Sequence, residues 1–143
     1  GAEVLPGLMR GEAALTKDAL FQLGQEASCL GMVAHDGRFY GSPFMSDSAV
    51  LVVIPTADGG DHHVEYIDTG RLGFHKWAGI AECGGRLFCA PHGASEVLVI
   101  TPAAEGEEHR LEFIEVGRQG FHKWAGIAEC GGRLFCAPAE ASE

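Results

Sequence analysis

The chain has 143 residues and a formal net charge of −10 at pH 7. Because phosphate contacts require Lys and Arg, an acidic chain without a basic cluster is not expected to bind nucleic acid or an anionic membrane surface. No apolar run approaches the about 20 residues that a membrane-spanning helix needs. The first residues lack the basic and apolar regions of a secretory signal, so none is predicted and the compartment stays unassigned.

The N-terminal residues 1–28 carry two short segments that recur later in the chain. Residues 2–5, Ala-Glu-Val-Leu, resemble residues 95–98, Ser-Glu-Val-Leu, and residues 20–24 resemble residues 113–117. The two segments are separated by the same number of residues in both places. Because the later copies are predicted to be β-strands, we interpret this N-terminal part as the third and fourth strands of a β-sheet rather than as a helix.

Residues 29–70 form the first complete copy of a β-rich unit. The dipeptide Asp36-Gly37 lies between two apolar runs. It predicts a tight hairpin, because both central residues of a type I′ turn need a positive φ. The apolar run at residues 50–53 predicts a buried third strand.

Residues 71–117 form the second copy, whose four strands are the easiest to place. The dipeptide Gly84-Gly85 predicts the hairpin turn between its first two strands. Four short antiparallel strands in about 47 residues have the size of one propeller blade. The predicted strands are residues 77–82, 86–90, 96–101 and 110–116.

Residues 118–143 begin a third copy. Residues 117–138 are identical to residues 70–91 at every position but one, so we expect the first two strands of a sheet here. Together with residues 1–28 they provide four strands. This is the shared blade through which many propellers close, because it leaves no open sheet edge.

The fold predicted for residues 1–143 is therefore one all-β segment of a β-propeller made of four-stranded antiparallel blades. About three blades are present, whereas known propellers have about four to eight. One interpretation is a homodimer, in which two chains close a six-bladed ring and each completes a blade of the other. The other interpretation is that the chain is part of a longer propeller.

The second copy also resembles a known family. Its unit Gly-Arg-Leu-Phe-Cys-Ala-Pro … Glu-Val-Leu-Val-Ile-Thr-Pro … Phe-Ile-Glu-Val-Gly, in residues 85–117, resembles the blades of YVTN/NHL-like β-propellers. Residues 76–79, Lys-Trp-Ala-Gly, make it look closest to the Lys-Trp-x-Gly repeats of microalgal proteins. The resemblance covers nearly the whole chain and implies the propeller fold. It implies little about function, because propellers serve as scaffolds, lectins and enzymes.

The candidate ligand site is formed by the loops that lead into the first strands of the second and third copies. In both loops the sequence is Gly-Phe-His-Lys-Trp, at residues 73–77 and 120–124, so each contains a His-Lys pair. In propellers of the family that the chain resembles, this strand lines the central channel and its preceding loop opens on one face. An imidazole and an ammonium can both donate hydrogen bonds, so a ring of such pairs would hold an anion or a carboxylate. The alternative is that the tryptophans pack between blades and the His-Lys pairs are plain exposed loop residues. The candidate residues are His75, Lys76, Trp77, His122, Lys123 and Trp124.

No metal site, cofactor or catalytic group is predicted elsewhere. The pair His62-His63 has one carboxylate neighbour, Asp61, which is too few ligands for a metal ion. The hairpin turn that follows Cys83 directs it and Cys89 to opposite faces of a sheet, so both are interpreted as packing residues. The chain has no Gly-x-Ser-x-Gly, no phosphate-binding glycine loop and no His-Glu-x-x-His.

The function that this pattern favours is a non-enzymatic β-propeller scaffold or binding module, acting through its channel mouth or its blade faces. Near-identical repeats produce rotational copies of one surface, whereas most enzymes need an asymmetric site. Two alternatives stay open. One is an NHL-like hydrolase or lyase with a metal ion at the channel mouth, and the other is a peripheral structural subunit of a larger assembly.

Overall fold

A computed structural model describes residues 31–44, 49–57, 61–71, 73, 76–104, 107–117 and 123–138. Over these residues the chain is all-β, as predicted, and it contains no helix. In the same part of the chain there is accordingly no helical segment with the length and hydropathy to span a membrane. The two strands predicted in residues 1–28 lie outside the described residues.

The strands of the described residues form three antiparallel sheets. In chain order they are β1 (Met32–His35), β2 (Arg38–Gly41), β3 (Ala49–Ile54), β4 (His63–Asp68), β5 (Trp77–Cys83), β6 (Arg86–Pro91), β7 (Glu96–Thr101), β8 (Arg110–Glu115), β9 (Trp124–Cys130) and β10 (Arg133–Pro138). The first sheet contains β1 to β4 in that order, the second contains β5 to β8, and the third contains β9 and β10. The strands predicted for residues 71–117 agree with the observed ones to within one residue at each end.

Tight hairpin turns join the first two strands of each sheet. Asp36 and Gly37 have φ values of 48° and 74°, and Gly84 and Gly85 have φ values of 61° and 80°. Two successive positive φ values define the predicted type I′ geometry, which suits the right-handed twist of paired strands. In the second sheet the Gly85 N–H also donates to the Glu82 carboxylate at 2.9 Å, which fixes the turn further.

The three sheets contact one another through their first strands, with β5 between β1 and β9. Glycines allow this close approach. A Cβ atom on Gly79 would lie 3.0 Å from the Cα atom of Gly126, and one on Gly31 would lie 3.4 Å from the Cα atom of Gly79. A larger residue at Gly79 would therefore separate the backbones of the second and third sheets. The described residues form this row of sheets and not a closed ring.

The apolar core lies between the first and second sheets. Burying one such aliphatic side chain contributes roughly 1.5–3 kcal/mol, so this cluster is the main source of stability for the two sheets. Its most buried members are Tyr40, Val50, Val52, Trp77, Leu87, Cys89, Leu98 and Ile100.

Candidate functional site

The structure places the predicted site residues in different environments. His75 and His122 lie outside the described residues. Lys76 is half-buried, whereas Lys123 has only 4% of its surface exposed. Trp77 is completely buried and Trp124 is half-buried, although both begin the first strand of a sheet.

Trp77 is held by the later strands of its own sheet. Its indole Nε1 donates to the Glu96 carbonyl oxygen on β7 at 2.8 Å. Its ring centroid lies 6.2 Å from that of Phe113 on β8. The Arg71 guanidinium stacks on the Phe113 ring, 4.0 Å from its centroid, and pairs with the Glu96 carboxylate at 3.3 Å. In this structure Trp77 is a core residue, and the binding role suggested for it stays a prediction.

A hydrogen-bonded junction at His92 connects the loop after β6 to the beginning of β5 and of β9. The His92 N–H donates to the Lys76 carbonyl oxygen at 2.8 Å, and the His92 carbonyl oxygen accepts from the Lys123 N–H at 3.0 Å. The His92 Nδ1 lies 2.9 Å from the Trp124 carbonyl oxygen, which can only accept, so this nitrogen carries the proton. The ring also lies 5.3 Å from that of Phe44, so residues of all three sheets or their loops meet here.

His92 was missed by sequence reasoning, although the repeat contains a signal for it. The identity between the second and third copies ends at this position, where Pro91 is followed by His92 and Pro138 by Ala139. A histidine that occurs in one copy only is a departure from the repeat. Its partners are mostly backbone atoms distant in sequence, and a single-sequence pattern does not identify those.

Lys123 has an environment unlike that of an exposed lysine. Burial lowers the pKa of its ammonium group, and the nearby carboxylate of Glu115 offsets part of this effect. A buried charge is costly unless it is compensated, and the Glu115 carboxylate supplies part of this compensation. The Lys123 N–H donates to the His92 carbonyl oxygen, which places the Lys123 backbone at the junction of the second and third sheets.

An apolar groove of about 430 Å³ lies between the second and third sheets. Among the described residues that line it, Cys136 is the one ionisable group, and burial raises the pKa of the Cys136 thiol. Because the thiolate is the nucleophilic form, a raised pKa makes this cysteine unreactive at neutral pH. The groove therefore offers apolar contact rather than acid–base or nucleophilic chemistry. It is lined by Pro91, Val97, Val116, Trp124, Leu134, Phe135 and Cys136.

The counterparts of these groove residues in the second sheet are buried. Leu87 and Cys89 are fully buried, whereas their counterparts Leu134 and Cys136 are half-buried. Phe88 has 9% of its surface exposed, and its counterpart Phe135 has 58% exposed. The sequences are identical, so the difference comes from what covers them.

Two features of the packing contribute to this difference: the second sheet lies between the first and the third, and β10 has an open outer edge among the described residues. In the second sheet, β6 pairs on its outer side with β7, which sets Leu87 opposite Ile100 and Cys89 opposite Leu98. The corresponding strand β10 pairs with β9, and within the described residues it has no strand on its other side. An edge strand of this kind presents backbone donors and acceptors that can pair with a further strand.

A cluster of titratable side chains lies between the first sheet and the loop before β8. The His109 ring lies 6.2 Å from that of Tyr40, and its Nδ1 accepts from the Ala103 N–H at 3.0 Å. Burial lowers the pKa of His109, the positive charge of Arg38 lowers it further, and Glu65 partly opposes them. Burial raises the pKa of Tyr40, with Arg38 acting against it. These groups lie in packed surroundings and contribute to the contact between the two sheets.

Metal-binding side chains do not converge in the part of the chain that the structure describes. No group of three or more His, Cys, Asp or Glu residues there is arranged to hold an ion. Cys83 lies opposite Arg86 across the hairpin, and Cys89 is buried. The His63 Nε2 lies 3.1 Å from the Glu65 carboxylate, so this histidine belongs to an exposed local hydrogen bond.

Comparison of the chain with protein-family models, with curated proteins and with solved structures found no match. The resemblance to YVTN/NHL-like blades therefore stays an interpretation of the repeat itself. The physical basis for a functional proposal is the geometry of the third sheet, namely its apolar groove and its β10 edge.

Proposed function

We propose that the chain is a non-enzymatic scaffold of the β-propeller type, which binds another polypeptide through the third sheet. The observation that carries the proposal is the contrast between two copies of one sequence. The side chains of β5 and β6 are mostly buried, in a four-stranded sheet that lies between its two neighbours, whereas those of β9 and β10 are largely exposed. A surface with the chemistry of a sheet core is suited to being covered by further strands.

Strand addition is the binding mode that fits this surface. An extended peptide that pairs with a sheet edge gains affinity from backbone hydrogen bonds and specificity from side-chain pockets. The second sheet supplies the template, because β7 presents Leu98 and Ile100 to its core. A ligand of β10 therefore needs alternating apolar residues in an extended segment, with side chains that fill the groove beside Trp124 and Phe135.

A binding role also suits the chemistry of the described residues. Cys136 in the groove has a raised pKa, and His92 uses its ring nitrogen and its backbone to connect neighbouring sheets. The hydrolase alternative depends instead on His75 and His122 at the channel mouth. It predicts an activity that requires these two histidines and an added metal ion.

The proposal is tested with a synthetic peptide of residues 95–117, the segment that covers β6 in the second sheet. Because β10 has the sequence of β6, we expect saturable binding to the full chain in its monomeric form, whose β10 edge is open, measured by the fluorescence anisotropy of the labelled peptide in the presence of excess protein. A control peptide with Leu98→Lys and Ile100→Lys should not bind, because charged side chains cannot enter the apolar groove.

Two matched variants locate the binding site. Phe135→Glu should weaken peptide binding at least about tenfold, or about 1.4 kcal/mol, because it places a charge in the groove. Tyr66→Glu should have no effect, because Tyr66 is equally exposed but lies on β4 of the first sheet. Equal binding of both peptides would contradict the proposal. So would a metal-dependent esterase or lactonase activity that is lost in His75→Ala and His122→Ala.

A further inference from the structure

We infer that the polypeptide bound by the third sheet is residues 2–24 of a second copy of the chain, and that the exchange is reciprocal. This inference rests on the proposed function and names the partner of the same surface. Residues 2–24 of each copy would add two strands beside β10 of the other. The resulting dimer would contain six sheets, a number within the range of known propellers.

Residues 2–24 carry the features that the second sheet uses to cover β6. Residues 3–5 have the sequence Glu-Val-Leu, identical to residues 96–98 at the beginning of β7. Leu20 follows Glu3 at the same spacing at which Phe113 follows Glu96. Trp77 donates to the Glu96 carbonyl oxygen and packs against Phe113, so the Glu3 carbonyl and the apolar side chain of Leu20 would occupy the corresponding positions beside Trp124.

A glycine at the end of the fourth strand supports the same match. Gly70 after β4 has a φ of 71°, and Gly117 after β8 has a φ of 69°. A residue with a side chain rarely adopts this conformation, so the position selects glycine. Gly24 occupies this position in the N-terminal segment, because it follows Glu3 at the spacing at which Gly117 follows Glu96.

The lengths of the connecting segments indicate a second copy rather than the same chain. Six residues separate Gly70 from β5, and this short link joins neighbouring sheets. Seven residues separate Gly24 from β1, so residues 2–24 belong to a sheet that neighbours the first sheet. The second sheet lies between the first and the third, since β5 contacts both β1 and β9. Three sheets are too few to close a ring that would make the first and third neighbours.

The glycine at position 126 is an independent observation that supports the dimer contact. A Cβ atom at Gly79 would lie 3.0 Å from the backbone of the next sheet, whereas a Cβ atom at Gly126 would meet no atom within 4 Å in one copy. Gly126 has no positive φ that would itself require glycine. In the dimer, β1 and Gly31 of the partner subunit would pack against Gly126 as β9 packs against Gly79.

The mass in solution is the primary test, measured by light scattering after size-exclusion chromatography of the full chain. We expect about 30 kDa, twice the 15.1 kDa of one chain. Gly126→Val should give a folded 15.1 kDa monomer with an unchanged circular dichroism spectrum, because the new side chain meets open space within one copy. Gly79→Val is the matched control and should lose folded structure, because its side chain meets the backbone of the neighbouring sheet in the same copy.

A mixing experiment tests the reciprocal exchange. Leu5→Glu disables the donated segment and Phe135→Glu disables the receiving sheet, so each variant alone should be monomeric. In an equimolar mixture one of the two exchanges joins a normal segment to a normal sheet. We therefore expect a 1:1 heterodimer of about 30 kDa, twice the mass of one chain. A mixture that stays monomeric while each variant is folded would contradict the exchange.

The outcomes separate this inference from the proposed function. A wild-type monomer that still binds the peptide of residues 95–117 would overturn the second copy as partner and leave the scaffold proposal standing. A wild-type monomer that does not bind the peptide would overturn both. A dimer that is unchanged by Gly126→Val and by Leu5→Glu would show that the copies associate through another face, which also overturns the inference.

Discussion

The hairpins β5–β6 and β9–β10 have the same sequence and the same turn, yet their side chains differ in exposure. Gly85 and Gly132 have φ values of 80° and 78°, so the local backbone is the same in both. Phe88 is nearly buried, while Phe135 is mostly exposed. The hairpin conformation therefore depends on local sequence, whereas the burial of its side chains depends on residues distant from it in sequence.

Truncation of the two tryptophans should give the largest difference between the hairpins. Trp77→Ala removes a fully buried indole and its hydrogen bond to Glu96, so we expect a loss of roughly 3–5 kcal/mol in the free energy of unfolding. Trp124→Ala removes a half-buried indole and should cost less than about 2 kcal/mol in dilute protein. Urea unfolding followed by circular dichroism measures both free-energy losses. Equal losses in dilute protein would contradict the difference in burial between Trp77 and Trp124.

The dependence of the Trp124→Ala stability loss on protein concentration tests whether a partner covers the third sheet. If a partner covers the third sheet, the loss should grow with protein concentration, because the buried form of Trp124 exists only in the dimer. The loss for Trp77→Ala relates to a side chain that is buried within one copy and should depend less on concentration. Urea curves recorded at the lowest and the highest usable protein concentrations make this test.

The leucines on the second strands should show the same order with smaller effects. Leu87 is fully buried, so Leu87→Ala should cost roughly 2–4 kcal/mol through lost burial and a remaining cavity. Leu134 is half-buried, and Leu134→Ala should cost about half as much. The same urea measurements in dilute protein apply. A larger loss for Leu134→Ala than for Leu87→Ala would mean that the third sheet is covered within one copy.

The sequence predicted the elements whose physics is local. The Asp36-Gly37 and Gly84-Gly85 turns were predicted from the requirement for a positive φ, and both are present. The third strand of the second copy, Glu96–Thr101, has its predicted bounds. These features depend on residues close together in the chain, so a single sequence was enough to place them.

The candidate site could be predicted only in part, because its environment is non-local. Trp77 and Trp124 stand in identical sequences, so no local pattern distinguishes a core residue from a groove residue. Lys123 was predicted in an exposed loop or at a channel mouth, but its burial depends on packing between sheets. His92 joins Lys76 and Trp124, from which it is separated by 16 and 32 residues, through backbone atoms that carry no sequence signal.

The turn glycines should show no difference between the hairpins. Gly85→Ala and Gly132→Ala each force alanine into a positive φ, which costs roughly 1–2 kcal/mol. Neither added Cβ atom would contact another atom within 4 Å, so the cost is that of the backbone alone. We therefore expect equal losses by urea unfolding. A much larger loss for Gly85→Ala would show that the turn conformation depends on the sheet to which the hairpin belongs.

The smallest expected effect is a pH dependence at the contact between the first and second sheets. Burial lowers the pKa of His109, and its neutral Nδ1 accepts from the Ala103 N–H. The unfolded chain therefore takes up a proton at a higher pH than the folded chain. The contribution of His109 to stability is complete above its unfolded pKa of about 6.5 and is lost as the pH falls through this value toward the lowered folded pKa.

The His109→Asn variant isolates this contribution from that of the other histidines. Asparagine offers an oxygen that can accept from the Ala103 N–H, but it does not titrate. We expect the free energy of unfolding of the wild type to decrease more steeply between pH 7.5 and pH 5.5 than that of the variant, in urea curves recorded at each pH. Equal slopes would mean that His109 is protonated in the folded chain at the same pH as in the unfolded chain, and the packed contact with Tyr40 would then carry no dependence on its charge.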